Sequence, residues 1–326
     1  MKHSSSQFLS SAENTMQKIH YESYDKWIEN FSINLNLIWN GNSAKNINKF
    51  LNNEVNETSS AIVIGRGPSI KKNNHLKMLA ESNYDGTIVC CDGALIEALK
   101  NGITPEKFKK FIVTSIEPYR RIEKYYLDEL VKQYGDKISV ILPVIADPNV
   151  VAILNEYKMN LFWIHLLFDL NEGKKSFNYI TSQIIRSKNN KGLPAIQTGA
   201  NVGTSSWFIA WKILDIPNVC LIGINHGWEE DDPIDKIMSH GYEDKTKIVN
   251  TEDNGTQKFI KKIFNPDFKC YCLQDPIYQF YSESFKEFIS RSPSWVNTIN
   301  ATEGGAIFGD RILCIKFSKF LDGYTH

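Results

Sequence analysis

The sequence has no excess of charge of either sign. Its 37 lysines and arginines are balanced by 37 aspartates and glutamates. Proteins that coat nucleic acid usually carry a clear excess of basic residues, so the balance argues against a nucleic-acid partner. The charge is uneven along the chain, because residues 229–253 hold three lysines and nine acidic residues. A local binding site for an anion is still compatible with the overall balance.

Long apolar runs and metal-binding cysteine pairs are also missing. The start, MKHSSSQFLSSAENTMQK, lacks the apolar core of a signal peptide, and no later segment approaches the ~18 apolar residues of a membrane span. The adjacent Cys90 and Cys91, and the C-x-C pair Cys270 and Cys272, do not have zinc or secreted-disulfide spacing. We expect a cytoplasmic protein with free thiols, no metal site and no membrane span.

From residue 61 onward, short β-branched runs are separated by helix-sized intervals. The runs are apolar on both faces, as in a parallel sheet covered by helices. This alternation predicts an α/β fold with a doubly wound, mostly parallel sheet of variant Rossmann-like type, in which ligands bind beyond the carboxyl ends of the strands. The strand candidates are AIVIG (61–65), TIVCC (87–91), KFIVT (110–114), ISVIL (138–142), LFWIH (161–165), VCLIG (219–223) and FKCYC (268–272).

An amphipathic helical pattern precedes these runs. The apolar residues that share one face at steps of three and four are Tyr24, Trp27, Ile28, Phe31, Leu35 and Ile38. This face either covers the core or makes a partner contact that would give a homo-oligomer. We predict a helical N-terminal extension and linker over residues 1–60, a Rossmann-like domain over 61–310, and a C-terminal tail over 311–326 that packs on the domain.

The loop after the first run reads Gly65-Arg66-Gly67-Pro68-Ser69. The two glycines let the backbone approach a ligand closely, and Ser69 can cap the next helix so that its amide groups face an anion. The third glycine of a dinucleotide fingerprint and the Gly-Lys-Ser/Thr ending of a P-loop are absent. A tight strand-to-helix turn without a ligand explains the same residues.

Two further loops have a composition that suits a nucleotide. Asp92 and Gly93 follow TIVCC, where a carboxylate can bind a ribose or base, or can cap the next helix. Small and polar residues before the helix WFIAWKIL form either a cradle for a nucleotide or a helix cap with glycines for close packing. They include Thr198, Gly199, Asn201, Gly203 and Thr204.

Two histidines are candidate general bases, since imidazole titrates near neutral pH. His226 follows VCLIG, and His240 lies in the segment SHGY. Either histidine can instead be structural or solvated. The acidic run at residues 229–232 is more typical of a solvated loop than of a metal site.

The ordered set of motifs resembles a known family. GRGPSI, CDGAL, TGANVGTSS followed by VCLIGIN, and NATEGGAIFG are similar to motifs of the motility-associated factor glycosyltransferases, which share a domain with the archaeal 6-hydroxymethylpterin diphosphokinases (MptE-like). The first loop and the TGANVGTSS unit are also similar to bacterial lipooligosaccharide sialyltransferases, which use a CMP-activated sugar. The resemblance covers about residues 61–310.

The resemblance implies a nucleotide-binding transferase domain with a histidine base beyond the VCLIG strand. His240 matches that position best, and His226 is the nearer alternative. Backbone amides of the turn at residues 67–69 and of Thr204 would then stabilise the phosphate that leaves.

The sequence also departs from these families. Diphosphokinases have two acids after the third strand, whereas Glu117 is the one carboxylate here. Asn225 replaces the acid that usually follows the Leu-Ile-Gly strand, and Tyr242 is the nearest match to the sialyltransferase tyrosines.

The leading hypothesis is a glycosyltransferase that transfers sugar from a nucleotide donor, with a CMP-nonulosonate as candidate, to a hydroxyl of a protein or glycan. The alternatives are an ATP-dependent diphosphokinase that uses Glu117 and a non-catalytic nucleotide-binding module. The nucleotide sugar, or ATP with Mg²⁺, would be a co-substrate, and we expect no tightly bound cofactor.

Overall fold

A computed structural model describes the backbone of residues 3–167, 173–188, 191–238 and 260–324, with side chains from residue 21 onward except Met238. The helices are α1 His3–Asn40, α2 Ile47–Phe50, α3 Ser69–Lys72, α4 His75–Glu81, α5 Leu95–Lys100, α6 Glu129–Gln133, α7 Pro148–Glu156, α8 Phe177–Arg186, α9 Val202–Phe208, α10 Ile234–Met238, α11 Pro276–Arg291 and α12 Phe317–Tyr324. The strands are β1 Asn42–Ser43, β2 Ser60–Ile64, β3 Thr87–Cys91, β4 Phe111–Thr114, β5 Ser139–Pro143, β6 Asn160–Leu166, β7 Ala195–Ile196, β8 Asn218–Ile222, β9 Lys261–Asn265, β10 Cys270–Gln274, β11 Asn297–Asn300 and β12 Ile312–Cys314.

One parallel sheet forms the centre of the described part of the chain. Its strand order is β1-β6-β5-β4-β3-β2-β8-β11-β12, and β7 pairs with β6. Every residue of β2, β3, β4, β5 and β8 is buried, as expected for strands that are covered on both faces. The prediction of a doubly wound, mostly parallel α/β sheet with an N-terminal helical extension is confirmed.

The order of the strands reverses between β2 and β8. Strands β3 to β6 follow β2 in one direction across the sheet, whereas β8 lies on the other side of β2. The loops after β2 and β8 therefore start at adjacent positions and lead to opposite sides. Open α/β sheets bind their ligands at this kind of switch point.

The prediction that FKCYC belongs to the main sheet is wrong. β10 pairs antiparallel with β9 to form a separate hairpin. A parallel partner would need a crossover of a dozen or more residues, whereas only four residues join β9 to β10. The main sheet instead continues with β11 and β12, whose sequences Asn-Thr-Ile-Asn and Ile-Leu-Cys lack a run of β-branched residues.

Helix α1 lies across the carboxyl ends of β4 and β5. The amide of Asn30 donates to the carbonyls of Pro118 (2.8 Å) and Ile145 (2.9 Å), and Asn34 donates to Ala146 (2.8 Å). Trp27, Phe31 and Ile38 on the same face are buried, which confirms that this face covers the core. Ile28 was expected on that face but is 44% exposed. Helix α1 therefore closes part of the edge at which ligands are expected.

Segments near both ends of the chain belong to the main sheet. β1 pairs with β6 at one edge, and β12 pairs with β11 at the other edge. Both strands lie outside the range 61–310, and the domain boundaries given above stay a prediction. None of the helices in the described ranges combines the length and the apolar character needed to cross a bilayer.

Candidate functional site

The loops after β2 and β8 pack directly on each other. The amide of Gly65 donates to the carbonyl of Ile222 (2.8 Å), and that of Gly67 donates to Gly223 (2.9 Å). A Cβ atom on Gly67 would lie 2.1 Å from Oδ1 of Asn225, and one on Gly65 would lie 2.3 Å from the carbonyl oxygen of Gly223. Gly65 and Gly67 are therefore required by the packing of the neighbouring loop, and neither has a left-handed backbone.

Ser69 does not cap a helix, which corrects the prediction. It is the first residue of α3, the cap position belongs to Pro68, and Oγ of Ser69 donates to Oδ1 of Asn225 at 2.9 Å. A proline has no side-chain acceptor, so the amide end of this four-residue helix receives no side-chain cap. Ser69 instead fastens the loop after β2 to the loop after β8.

Asn225 also holds the loop after β11. Its backbone carbonyl accepts a hydrogen bond from the amide of Ala306 at 2.8 Å. Gly305 has a φ of +75°, and a Cβ atom there would lie 2.2 Å from the same carbonyl oxygen. The glycine pair of the NATEGGA segment is thus explained by a tight turn against Asn225.

Asp92 is buried, and each oxygen of its carboxylate accepts a hydrogen bond from the protein. Oδ1 accepts from the amide of Gly93, and Oδ2 accepts from Oγ of Ser115, both at 2.7 Å. Burial raises the pKa of Asp92 to about 6, although these hydrogen bonds act in the opposite direction. Asp92 therefore fixes the loop after β3 through one hydrogen bond to each of its oxygens.

The start of α9 is a helix cap. Oδ1 of Asn201 accepts from the amide of Thr204 at 2.8 Å, and its Nδ2 donates to the carbonyl of Gly199 at 3.0 Å. Oγ1 of Thr198 accepts from the amide of Ala200 at 3.1 Å. A Cβ atom on Gly203 would lie 2.8 Å from Cδ1 of Ile224, so this glycine allows α9 to approach the loop after β8. Thr198, Gly199 and Asn201 remain partly exposed at the edge of the sheet.

Two amides that were expected to face a phosphate already have partners within the protein. The amide of Gly67 donates to Gly223, and the amide of Thr204 donates to its cap, Asn201. These two amides are therefore not available to a phosphate in this arrangement.

Arg66, which the sequence argument did not select, provides a positive charge at this edge. Its Nη1 donates to Oη of Tyr125 at 2.7 Å, and its guanidinium lies 5.3 Å from the centre of the same ring. Its Cδ would lie 3.0 Å from a Cβ atom on Gly93, so the side chain passes directly over the loop after β3. The position of Arg66 between two glycines directly after a strand was the feature of the sequence that could have identified it as a site residue.

His226 lies in an aromatic cluster at the end of β8. Its ring centre is 5.8 to 6.4 Å from those of Tyr278, Tyr281 and Phe285 on α11. Burial lowers the pKa of His226 to about 3, and the charge of Lys286 acts in the same direction. The imidazole is therefore neutral at pH 7 and accepts a proton poorly. His240 and Tyr242 lie outside the described residues.

Glu117 lies at the rim of the same edge. Its carboxylate is 41% exposed and accepts from Nε of Arg121 at 2.9 Å. Glu117 and Arg66 both influence the pKa of Asp92 after burial, with the former raising and the latter lowering it. The structure thus brings Arg66, Asp92, Gly93 and Glu117 to one place. In the described ranges, no three His, Cys, Asp or Glu side chains are grouped to hold a metal ion.

A separate cavity of about 500 Å³ lies at the loops after β8 and β11. It is lined by Lys72, the acidic residues 229–231, residues 269–271 of the β9–β10 hairpin, and residues 303–305. Lys72 and Glu229 form an ion pair of 2.6 Å across it. None of the predicted site residues lines this cavity, so it is distinct from the edge formed by the loops after β2 and β3.

Comparison with known proteins supports the resemblance. A family model described as 6-hydroxymethylpterin diphosphokinase MptE-like matches residues 29–231. The solved structure of MAf glycosyltransferase from Magnetospirillum magneticum AMB-1 is similar, with a TM-score of 0.54 and 15% sequence identity. The similarity covers 82% of this chain and 34% of that one, so the chain spans about a third of that protein. No curated protein matches the sequence. At this identity, the structural likeness shows a shared fold.

Proposed function

Because the chain belongs to the 6-hydroxymethylpterin diphosphokinase MptE-like family, we propose that it is a transferase that acts on a nucleotide, and specifically a glycosyltransferase. Its donor is a nucleotide-activated sugar, with a CMP-nonulosonate as the first candidate, and its acceptor is a hydroxyl of a glycan or protein. The fold that it shares with a MAf glycosyltransferase agrees with this reaction.

The observation that carries the proposal is the meeting of several loops at the switch point of the sheet. The loops after β2, β3 and β8 and the start of α9 converge there, and Asn225 and Asp92 fix their positions. Thr198, Gly199 and Asn201 are partly exposed at this edge, and Arg66 supplies a positive charge. Such an edge, fixed before binding, suits a nucleotide.

In this proposal, His240 removes the proton from the acceptor hydroxyl. His226 is the weaker candidate, since burial lowers its pKa to about 3 and its Nδ1 has no hydrogen-bond partner among the described residues. A base whose conjugate acid has so low a pKa gains little from taking a proton at neutral pH. His226 instead packs the end of β8 against α11.

Release of the nucleotide from a panel of nucleotide sugars tests the proposal. We expect release with one donor class, and a loss of kcat of about 10²- to 10⁴-fold in His240→Ala, as for removal of a general base. His226→Phe keeps the aromatic packing and is the matched control, which should retain most activity. No release from any donor would overturn the proposal, and a His240→Ala variant that transfers sugar as fast as the wild type would overturn the role of His240.

The family itself supports a second candidate function, which is ATP-dependent diphosphoryl transfer to a hydroxymethylpterin. It predicts Mg²⁺-dependent formation of AMP from ATP and a severe loss of activity in Glu117→Gln. The ion pair between Glu117 and Arg121 makes this candidate the less favoured one, because the carboxylate already has a cationic partner. Tight nucleotide binding without turnover in either assay would instead favour a non-catalytic module.

A further inference from the structure

The guanidinium of Arg66 is held in place but still has hydrogen-bond donors to spare. One N–H group donates to Oη of Tyr125, and the guanidinium carbon lies 5.3 Å from the centre of the tyrosine ring, so Tyr125 holds the end of the side chain. Arginine has several N–H donors and no acceptor, so most of them are not used by Tyr125. Arg66 is exposed to solvent at the edge of the sheet, beside Gly93.

No carboxylate forms an ion pair with Arg66 within the described ranges, although the charge of Arg66 lowers the pKa of the nearby Asp92. None of the ion pairs there includes it, and both oxygens of the nearby Asp92 are engaged by Gly93 and Ser115. The adjacent arginines differ in this respect, since Arg120 pairs with Glu123 at 3.0 Å and Arg121 pairs with Glu117 at 2.9 Å. Arg66 is therefore the arginine of this edge whose charge is available to a ligand.

We propose that Arg66, positioned by Tyr125, binds the phosphate of the nucleotide and makes the site select a nucleotide over the corresponding nucleoside. A planar guanidinium can bind two phosphate oxygens in parallel, and such charged hydrogen bonds are stronger than neutral ones. Lys124, whose ammonium lies 5.3 Å from the ring of Tyr125, adds charge of the same sign.

The inference rests on the proposed function in one respect, which is that a nucleotide occupies this edge. It assigns to Arg66 the role that the amides of Gly67 and Thr204 cannot perform while they are bonded within the protein. When the sugar leaves a nucleotide donor, negative charge grows on this phosphate. The same guanidinium would therefore also stabilise the departing group.

Isothermal titration with matched pairs tests the inference, namely CMP and cytidine, UMP and uridine, GMP and guanosine, and AMP and adenosine. We expect the wild-type protein to bind the nucleotide of at least one pair about tenfold to a hundredfold more tightly than the nucleoside, the range for a charged hydrogen bond. Arg66→Gln should bind that nucleotide and its nucleoside about equally, with the nucleoside affinity unchanged. Tyr125→Phe should lose part of the preference.

Arg120→Gln is the control, because this arginine is exposed and paired with Glu123. It should keep the full preference for the nucleotide. The inference is overturned if the wild-type protein shows no preference, or if Arg66→Gln retains it. Equal losses of nucleotide and nucleoside affinity in Arg66→Gln also overturn it, since they would reveal a structural role.

The assay uses no sugar donor, so its outcome can be separated from that of the proposed function. A preference that depends on Arg66 in a protein that transfers no sugar would support the inference and refute the proposed function. Sugar transfer by a protein in which Arg66→Gln leaves the preference for the nucleotide unchanged would support the proposed function and refute the inference.

Discussion

Asn225 connects three loops through its side chain and its backbone carbonyl. It accepts a hydrogen bond from Ser69 of the loop after β2 and one from Ala306 of the loop after β11. Gly67 and Gly305 are glycines because Asn225 leaves no room for a Cβ atom at either position. The sequence left two explanations open for the glycines in the loop after β2, namely close approach to a ligand and a tight turn without one. The sequence shows that Gly67 follows a strand. It does not show the contact of Gly67 and Gly305 with Asn225, which lies far from both of them in the chain.

Substitution of Gly67 by alanine should destabilise the protein. The added Cβ atom would lie 2.1 Å from Oδ1 of Asn225 and 2.7 Å from the carbonyl oxygen of Gly223, so the loops must separate. We expect the free energy of unfolding in urea to fall by at least about 2 kcal/mol, within the range for overpacking. Gly323→Ala is the control, because nothing lies within 4 Å of its added Cβ atom. Equal stability of the two variants would contradict this role of Gly67.

Asp92 should make stability depend on pH. Burial raises its pKa from the ordinary value of 3.8 to about 6 in the folded protein. Between these two values the folded state binds more protons than the unfolded state, so the contribution of Asp92 to the free energy of unfolding falls as pH rises. The charged carboxylate is therefore a cost at neutral pH.

Asp92→Asn removes this charge and can still hydrogen-bond to Gly93 and Ser115. Relative to the wild type, the variant should gain on the order of 2 kcal/mol of stability as pH rises from about 4 to about 7. Urea unfolding of both proteins across this range measures the difference. A difference that stays constant with pH would show that Asp92 is not the responsible group.

Among the elements, the buried central strands were predictable and the short outer ones were not. β2, β3, β4, β5, β6 and β8 coincide with β-branched runs, because strands covered on both faces need apolar residues at every position. β1 and β7 have two residues each, and β11 is half asparagine, so none of them leaves a hydrophobic pattern. FKCYC has the composition of a strand, but composition does not choose between a hairpin and the main sheet.

Asparagines attach helix α1 to the loops after β4 and β5, and the apolar pattern of the helix does not predict this contact. Asn30 is buried and donates to two backbone carbonyls beyond β4 and β5. Asn30→Leu would leave both carbonyls buried without a donor, which should lower the free energy of unfolding by about 2 to 4 kcal/mol. Asn36→Ala on the exposed side of α1 should change it little. Urea unfolding followed by tryptophan fluorescence provides the comparison, and an unaffected Asn30→Leu would show that α1 is not fastened there.

At the scale of the whole molecule, the last residues are part of the structure that supports the site. β12 extends the sheet, and α12 buries Phe317 and Phe320. Removal of residues 311–326 should therefore abolish cooperative unfolding, since the loss of two buried phenylalanines alone costs about as much as a typical domain's stability. Thermal unfolding followed by circular dichroism tests this, with the exposed Lys319→Ala as control. A truncated chain that unfolds cooperatively near the wild-type temperature would contradict it.

The candidate site was predictable in position but not in detail. Parallel strands place their following loops at one edge, so Gly67 and Gly93 could be grouped from the sequence. The start of α9 follows the two-residue β7, which was not predicted, and only the family resemblance grouped it with them. The roles of individual groups depended on contacts between distant residues. Ser69 donates a hydrogen bond to Asn225, and Ser115 donates one to Asp92. Arg66 donates one to Tyr125. None of these contacts follows from the local sequence.

Thermal unfolding in the presence of nucleotides tests the central claim most directly, namely that this edge binds the nucleotide of a sugar donor. A ligand that binds the folded state raises the midpoint in proportion to RT ln(1 + [L]/Kd). We predict that CMP or another nucleoside monophosphate or diphosphate raises the midpoint saturably without Mg²⁺, and that Arg66→Gln weakens this rise. No rise with any nucleotide, or a rise with ATP and Mg²⁺ alone, would contradict the account.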